Sequence, residues 1–238
     1  VSPAIALVFT FLTVFLLVID LKRPERFYYL LTKPNLKSWL VLGGYVLMLY
    51  SLVALIWLFT ANRNGSVPMA IAWLGAALGG LSACYSAFLF AQARGRDLWL
   101  SPFFGWNLLA QTVTAGAAVL LICAISLEAG ATVINTLAKV LAASVALNVT
   151  IILAELCSSR ATEDARRAMD LLKRGPLSES FWAGAIGFGA LIPLALLIAS
   201  RFRAEADVAY ILASLSALVG LWIFEDLWIK AGQAVPLS

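Results

Sequence analysis

Seven long apolar runs dominate this chain, at about 3–20, 39–61, 67–93, 103–126, 131–157, 181–200 and 208–229. Crossing the hydrocarbon of a bilayer as a helix takes roughly 20 residues, and each run supplies that length. A closed β-barrel is the only other spanning solution, and it needs alternating strands of about ten residues, which these unbroken runs do not offer. Composition agrees. The chain is 62% hydrophobic and 13% charged, against about 45–50% and about 25% in soluble domains. The sequence therefore predicts an all-α integral membrane bundle with seven visible spans. No linker or low-complexity stretch divides it, so residues 1–238 read as a single transmembrane domain.

The charges then orient the chain. All Lys and Arg residues except Arg63, Lys139, Arg201 and Arg203 fall in the loops on the face reached after the first run, or at its edge. By the positive-inside rule that face is cytoplasmic, in a bacterial or archaeal inner membrane. Basic residues confined to short loops between spans do not form a nucleic-acid surface, so nucleic acid is excluded as a partner and lipid is implied. The chain enters its first apolar run directly from Val1, with no basic n-region and no small-residue cleavage site. That pattern is not a signal peptide, and it points to a natural start further upstream.

Two absences narrow the chemistry. The chain has no histidine, which removes the usual axial ligands of b-type haem and the commonest zinc ligand. Cys84, Cys123 and Cys157 lie singly in different apolar runs with no C-x-x-C spacing, so neither an iron–sulfur cluster nor a zinc site is expected. Lone thiols in helix packing are the plain reading.

Two of the connections on the basic face are long. Residues 158–180 alternate Ala161, Ala165, Ala168, Met169, Leu171 and Leu172 with Arg166, Arg167, Asp170, Lys173 and Arg174, then meet Gly175-Pro176. This predicts an amphipathic surface helix lying at the lipid headgroups. The other, "DLKRPERFYYLLTKPNLKSW" at 20–39, combines Asp20, Lys-Pro and Arg-Pro steps, and a Phe27-Tyr28-Tyr29 cluster suited to the interface. Gly75 and Gly79 form a G-x-x-x-G pair, and Gly184, Gly187 and Gly189 form a second close-approach face.

Ionisable groups in a span cost about 2.5–3.5 kcal/mol on insertion scales, so each is a candidate site. Asp20 closes the first run, Glu155 lies near the end of the fifth, and Glu225 and Asp226 lie near the end of the seventh. Lys230 follows Asp226 by four residues, a helical ion-pair spacing. Arg26, Arg94, Arg96 and Asp97 complete a charged set on the same face, read as structural ion pairs. On the fifth helix Asn148 and Glu155 share one face with Ser144 near it, while Asn135 and Lys139 share the opposite one. Two polar faces on one helix imply an interior or cavity at each. Lys139 and Glu155 are roughly 24 Å apart along the axis and do not pair directly. A proton path, a ligand pocket and interhelical hydrogen bonding each explain this pattern.

Tyr85, in the third run, and Asn107 and Gln111, one turn apart in the next, place a hydroxyl and two amides just inside the membrane. A quinone carbonyl in an apolar cleft calls for such groups.

Three segments carry a resemblance. "DLKRPERFYYLLTKP" resembles the Asp-Leu-x-Arg-Pro-x-Arg-Phe stretch of the NrfD-like family, the membrane subunits of polysulfide reductase and its kin. "YSAFLFAQARGRDLWLSP" is similar to that family's third-helix exit, and "EDLWIKAGQAVPLS" to its C-terminal ending. The resemblance implies an eight-helix, haem-free, quinone-reactive anchor, with one helix preceding Val1. It implies an iron–sulfur ferredoxin-like partner, commonly a molybdopterin catalytic subunit, and menaquinone or ubiquinone as ligand. The chain would then be a non-autonomous, quinone-reactive subunit of an oxidoreductase complex. Carried over, Tyr85 matches the quinone-contacting tyrosine, and Asp20, Arg23 and Arg26 match the Asp-x-x-Arg-Pro-x-Arg positions. Asp20 would handle protons beside Arg23 at the rim of the site, with Asn107 and Gln111 as further quinone ligands. Glu155, Glu225, Asp226 and Lys139 would be secondary proton carriers, with proton translocation as an extension. A secondary transporter coupled through Glu155 and Lys139 is the alternative from another class.

Overall fold

The computed structural model describes residues 2–20, 23–93, 96–158, 162–200 and 206–235, apart from the side chains of residues 26, 31 and 64. The described residues are helical, with no strand. Among the described residues, seven helices have the length and apolarity to cross a membrane. They are α1 (Ser2–Ile19), α3 (Trp39–Asn64), α4 (Met69–Ala91), α5 (Phe104–Ser126), α6 (Ala131–Cys157), a π segment (Ser180–Leu191) continued by α8 (Ile192–Ala199), and α9 (Asp207–Ala234). The short α2 (Tyr29–Thr32) and α7 (Glu163–Lys173) lie in connections, with single 3₁₀ turns at Pro24–Arg26 and Asp97–Leu100. The predicted spans therefore stand, the last extended to Ala234.

Helix boundaries follow local chemistry. Gly65 ends α3 at φ 66°, the left-handed conformation glycine adopts freely, and its N–H returns to the Ala61 carbonyl at 3.0 Å. Thr162 caps α7 by accepting the Ala165 N–H at 3.3 Å, with Glu163 and Asp164 in the first turn and Lys173 in the last, as the helix dipole favours.

The chain forms two compact units, residues 1–89 and 90–238, dividing within α4. In the first, α1 packs on α3. Trp39 stacks on Phe88 with ring centroids 4.3 Å apart. The predicted glycine pair is used here: Gly75 gives way to the Trp57 ring and Gly79 to Tyr50.

In the second unit α5 packs on α6 and α9, and α9 also on the π segment and α8. Its core is lean in bulk: Ala118, Leu121, Leu141, Ala213 and Ala217 are fully buried. Small side chains let helices approach closely where the hydrophobic effect gives no drive, because lipid is as apolar as the core. The closest approach is backbone to backbone, Gly189 on Gly220, where a Cβ on either would overlap the other's Cα. Gly184 meets Ile223 similarly, whereas Gly187 faces only its own helix.

The π register explains a further contact. Ile192 N–H bonds the Gly187 carbonyl, five residues back. Phe188 would next take the N–H of residue 193, but Pro193 has none. The Ser216 hydroxyl of α9 donates to that Phe188 carbonyl.

Helix α7 corrects an expectation. Ala165, Ala168, Met169 and Leu172, at i, i+3, i+4, i+7 spacing, are buried. They pack on α9 and the Asp97–Leu100 turn, so the apolar face covers the bundle end and is not given to headgroups.

A methyl added at Gly220 must push two backbones apart, an overpacking cost of about 1–3 kcal/mol. Gly220→Ala should therefore lower the melting temperature of the detergent-solubilised protein more than Ser216→Ala, whose lost interhelical bond is worth about 0.6 kcal/mol. Equal melting temperatures for Gly220→Ala and wild type would remove the glycine contact as a constraint.

Candidate functional site

In the first unit the segment "GGY" of α3 sets the geometry. The Tyr85 ring lies against Gly43, so close that a Cβ there would overlap it. Leu30 of α2 sits against Gly44, and the Tyr45 hydroxyl donates to the Leu30 carbonyl at 3.2 Å. These contacts frame an apolar cleft of about 200 Å³. Val14 and Leu17 of α1, Phe27 and Leu30 of the connection, Tyr45, Met48 and Ser51 of α3, and Tyr85 of α4 line it. Ser51 spends its hydroxyl on the Leu47 carbonyl at 2.8 Å. With Tyr45 also committed, Tyr85 is the lining phenol not spent on a backbone carbonyl. Tyr85 itself is buried, 8% exposed.

The charged, aromatic stretch after α1 is held by this cleft. Phe27 and Leu30 anchor it on the cleft wall, while Asp20, Arg23, Glu25 and Lys33 are exposed. Tyr28 and Tyr29 meet at 4.4 Å, and Lys33 lies over the Tyr29 ring at 5.7 Å. A side-chain hydrogen bond with Tyr29 raises the Tyr28 phenol above its usual range. Asp20 and Arg23 are exposed, do not line the cleft, and form no ion pair with each other among the described residues. The expected Asp20–Arg23 pairing is thus not formed.

Asn107 and Gln111 belong to the second unit. Asn107 is fully buried and Gln111 is 7% exposed. Asn148 of α6 donates to Asn107 Oδ1 at 2.8 Å. Gln111 faces the Glu225 carboxyl of α9. Among the described residues, Asn107 Nδ2, Gln111 Nε2, Glu225 Oε1 and Trp228 Nε1 are buried without a hydrogen bond of ordinary geometry. Beside this seam runs an aromatic ladder, with Phe104 stacked on Trp228 at 6.1 Å and Trp228 on Phe224 at 5.7 Å. Glu155, 2% exposed, is buried near the end of α6, where the Lys173 ammonium donates to the Leu156 carbonyl.

The remaining predicted residues separate. Lys139 and Asn135 are exposed on α6, and Asn135 Oδ1 accepts a hydrogen bond from the Tyr210 hydroxyl of α9 at 3.5 Å. The Asp226–Lys230 pair forms at 2.6 Å. Arg94 and the Arg26 side chain lie outside the described residues. Among the described residues Arg96 has no ion-pair partner: its Nη1 donates to the carbonyls of Gly232, Gln233 and Val235 at 3.0, 3.0 and 2.8 Å, closing the C-terminal end of α9. Asp97 has no ionic partner among the described residues and heads the 3₁₀ turn instead. Helix C-termini leave carbonyls unfilled and carry partial negative charge, so a guanidinium there serves both needs. Sequence reading missed Gly43, Tyr45 and Trp228. The Gly-Gly pair beside a tyrosine was the available signal for the first two.

Seven apolar helices, with polar groups gathered in a first-unit cleft and a second-unit seam, define a multi-pass helical membrane protein. The chain belongs to the polysulphide reductase NrfD family, whose model matches residues 1–236. A search of curated proteins returned no match. Membership makes it a membrane subunit of polysulfide-reductase-like oxidoreductases, a kind that associates with other oxidoreductase subunits.

Hydrogen bonds to a charged donor contribute about 1.5–3 kcal/mol. Arg96→Ala should therefore fray the end of α9, seen as faster amide hydrogen exchange over residues 228–235 with α5 and α6 unchanged. Unaltered exchange there would mean the cap is dispensable.

Proposed function

We propose that this protein is the haem-free, quinone- or quinol-binding anchor of a multisubunit respiratory oxidoreductase, and that its ligand head group enters the first-unit cleft against Tyr85. The observation that carries this reading is a buried phenol, its hydroxyl hydrogen-bonded to the neighbouring Ser86, at the wall of an otherwise apolar cleft. A few placed polar groups in an apolar pocket suit a ring that is flat, apolar and bears carbonyls at its ends. At about 200 Å³ the cleft takes the ring only, leaving a polyprenyl tail to lie along the lipid-facing helices.

The protein's own residues do limited, definable work. Tyr85 donates a hydrogen bond to a carbonyl oxygen of the oxidised ligand and accepts one from a hydroxyl of the reduced ligand. Gly43 fixes the ring plane of Tyr85, and Phe27 and Leu30 exclude water. Asp20, exposed at the end of α1, exchanges protons with solvent near the cleft. Glu155 and Glu225 serve proton handling within the second unit. A bound quinol supplies two electrons and two protons, and the electrons pass to a partner's iron–sulfur cluster. That partner is a ferredoxin-like subunit, with a molybdopterin subunit completing the complex. The basic loops lie on the cytoplasmic side of a bacterial or archaeal inner membrane.

Quinol-dependent electron transfer in the assembled complex tests this. Losing one hydrogen bond of about 1.4 kcal/mol at the transition state is worth about tenfold in rate. Tyr85→Phe should lower turnover by about that factor with the partner subunits still bound. Unchanged turnover would remove Tyr85 from the site.

A further inference from the structure

Lys139 is a cation inside a span. It lies two turns into α6, roughly 12 Å along the axis from Ala131. It is exposed, with no hydrogen bond or ion pair among the described residues. Asn135, one turn earlier, is engaged by Tyr210 of α9, but Lys139 is not. A charge facing hydrocarbon is costly, and charged groups in spans pair with one another or line a polar path.

The spans of this chain hold no counter-charge at that depth. Residues 39–91 contain no Asp or Glu. Asp20 and Glu25 lie in a connection on the basic face, and Glu155, Glu225 and Asp226 lie toward that same face, whereas α6 starts from the other one. Glu128 and Asp207, at helix ends on the Lys139 side, form no ion pair with it among the described residues.

The face around Lys139 is shaped for a close neighbour. At helical spacing Thr132, Thr136, Ala143, Ala146 and Thr150 share its side of α6, and all are exposed. The Thr136 and Thr150 hydroxyls are spent on carbonyls of their own helix, at 2.7 and 2.8 Å. The stripe therefore presents methyl groups, where α3 turns Met48, Leu52, Ile56 and Phe59 outward. Small residues on a span let a second helix approach closely.

Charge decides what that neighbour is. A second copy meeting this face about a two-fold axis would set Lys139 against Lys139, because such an interface joins the same patch to itself. A carboxylate-bearing helix of another polypeptide satisfies both the cation and the shape. We propose that this face of α6 docks a transmembrane helix of a different, integral membrane subunit, whose Asp or Glu pairs with Lys139. The proposal concerns a partner within the membrane and does not rest on quinone binding at Tyr85.

A photoreactive benzophenone side chain at Leu147, which is 54% exposed beside the stripe, tests it in the intact complex in membranes. After irradiation it should be joined to a transmembrane segment of another subunit of the purified complex, one that carries Asp or Glu. Lys139→Glu should lower recovery of that subunit about tenfold, the scale of one interhelical polar contact. Lys139→Arg should retain it, and placing Lys at the partner's carboxylate should restore it to Lys139→Glu. If Lys139→Glu does not insert, the cross-link with Lys139 intact decides the matter. A cross-link to lipid alone, with Lys139 reaching the head groups, overturns the proposal. So does a cross-link confined to residues 1–89 or to a second copy, or recovery unchanged in Lys139→Glu.

Discussion

A backbone carbonyl or N–H in hydrocarbon must find its partner within the protein, because the bilayer core has no water to offer. Much of this structure is arranged around that demand. The second unit bends it at one place, where the π register and Pro193 together leave the Phe188 carbonyl without its helical donor, and Ser216 of α9 supplies one. The same helix pair meets at Gly189 and Gly220, so the hydrogen bond and the close approach enable each other. At the membrane face the demand returns as open helix ends. Arg96 closes α9 and Lys173 reaches the end of α6. Basic side chains of the connections thereby also complete helix ends.

The two units meet their polar obligations differently, and that difference frames the functional reading. The first is loosely filled, and its cleft walls are apolar apart from three hydroxyls, two of them spent on carbonyls. The second is close-packed on alanine and glycine and gathers amides and carboxyls inside. The function proposed above needs somewhere to place a redox ligand and somewhere to manage protons. The cleft suits the first task and the polar seam the second.

The spans were legible because length and apolarity are local properties of the sequence, and so was the Asp226–Lys230 pair, which depends only on helical spacing. Gly75, Gly79, Gly184 and Gly189 were legible as close-approach points, since small residues in a span have few other uses. What escaped was set by which helix lies opposite. Arg96 looked like an ion-pair partner because its true acceptors are carbonyls more than 130 residues away. Lys139 suggested a second interior, but it is exposed, while Asn135 one turn earlier accepts from the Tyr210 hydroxyl of α9. Lys230 marks out Asp226 in the sequence, but what faces Glu225, Gln111 of α5, depends on the fold. Asp20 and Arg23 matched a family pattern in order, yet stand outside the cleft that Phe27 and Leu30 close.

The functional reading stands on one placement, a redox ligand in the first unit against Tyr85. A photoreactive quinone analogue, cross-linked in the assembled complex and mapped by peptide sequencing, probes that placement without an intermediate step. Saturable labelling, competed by native quinone, is expected on the stretch of α3 between Gly44 and Ser51 and on the peptide carrying Tyr85. Saturable labelling confined to residues 104–234, or none on this protein, would contradict it.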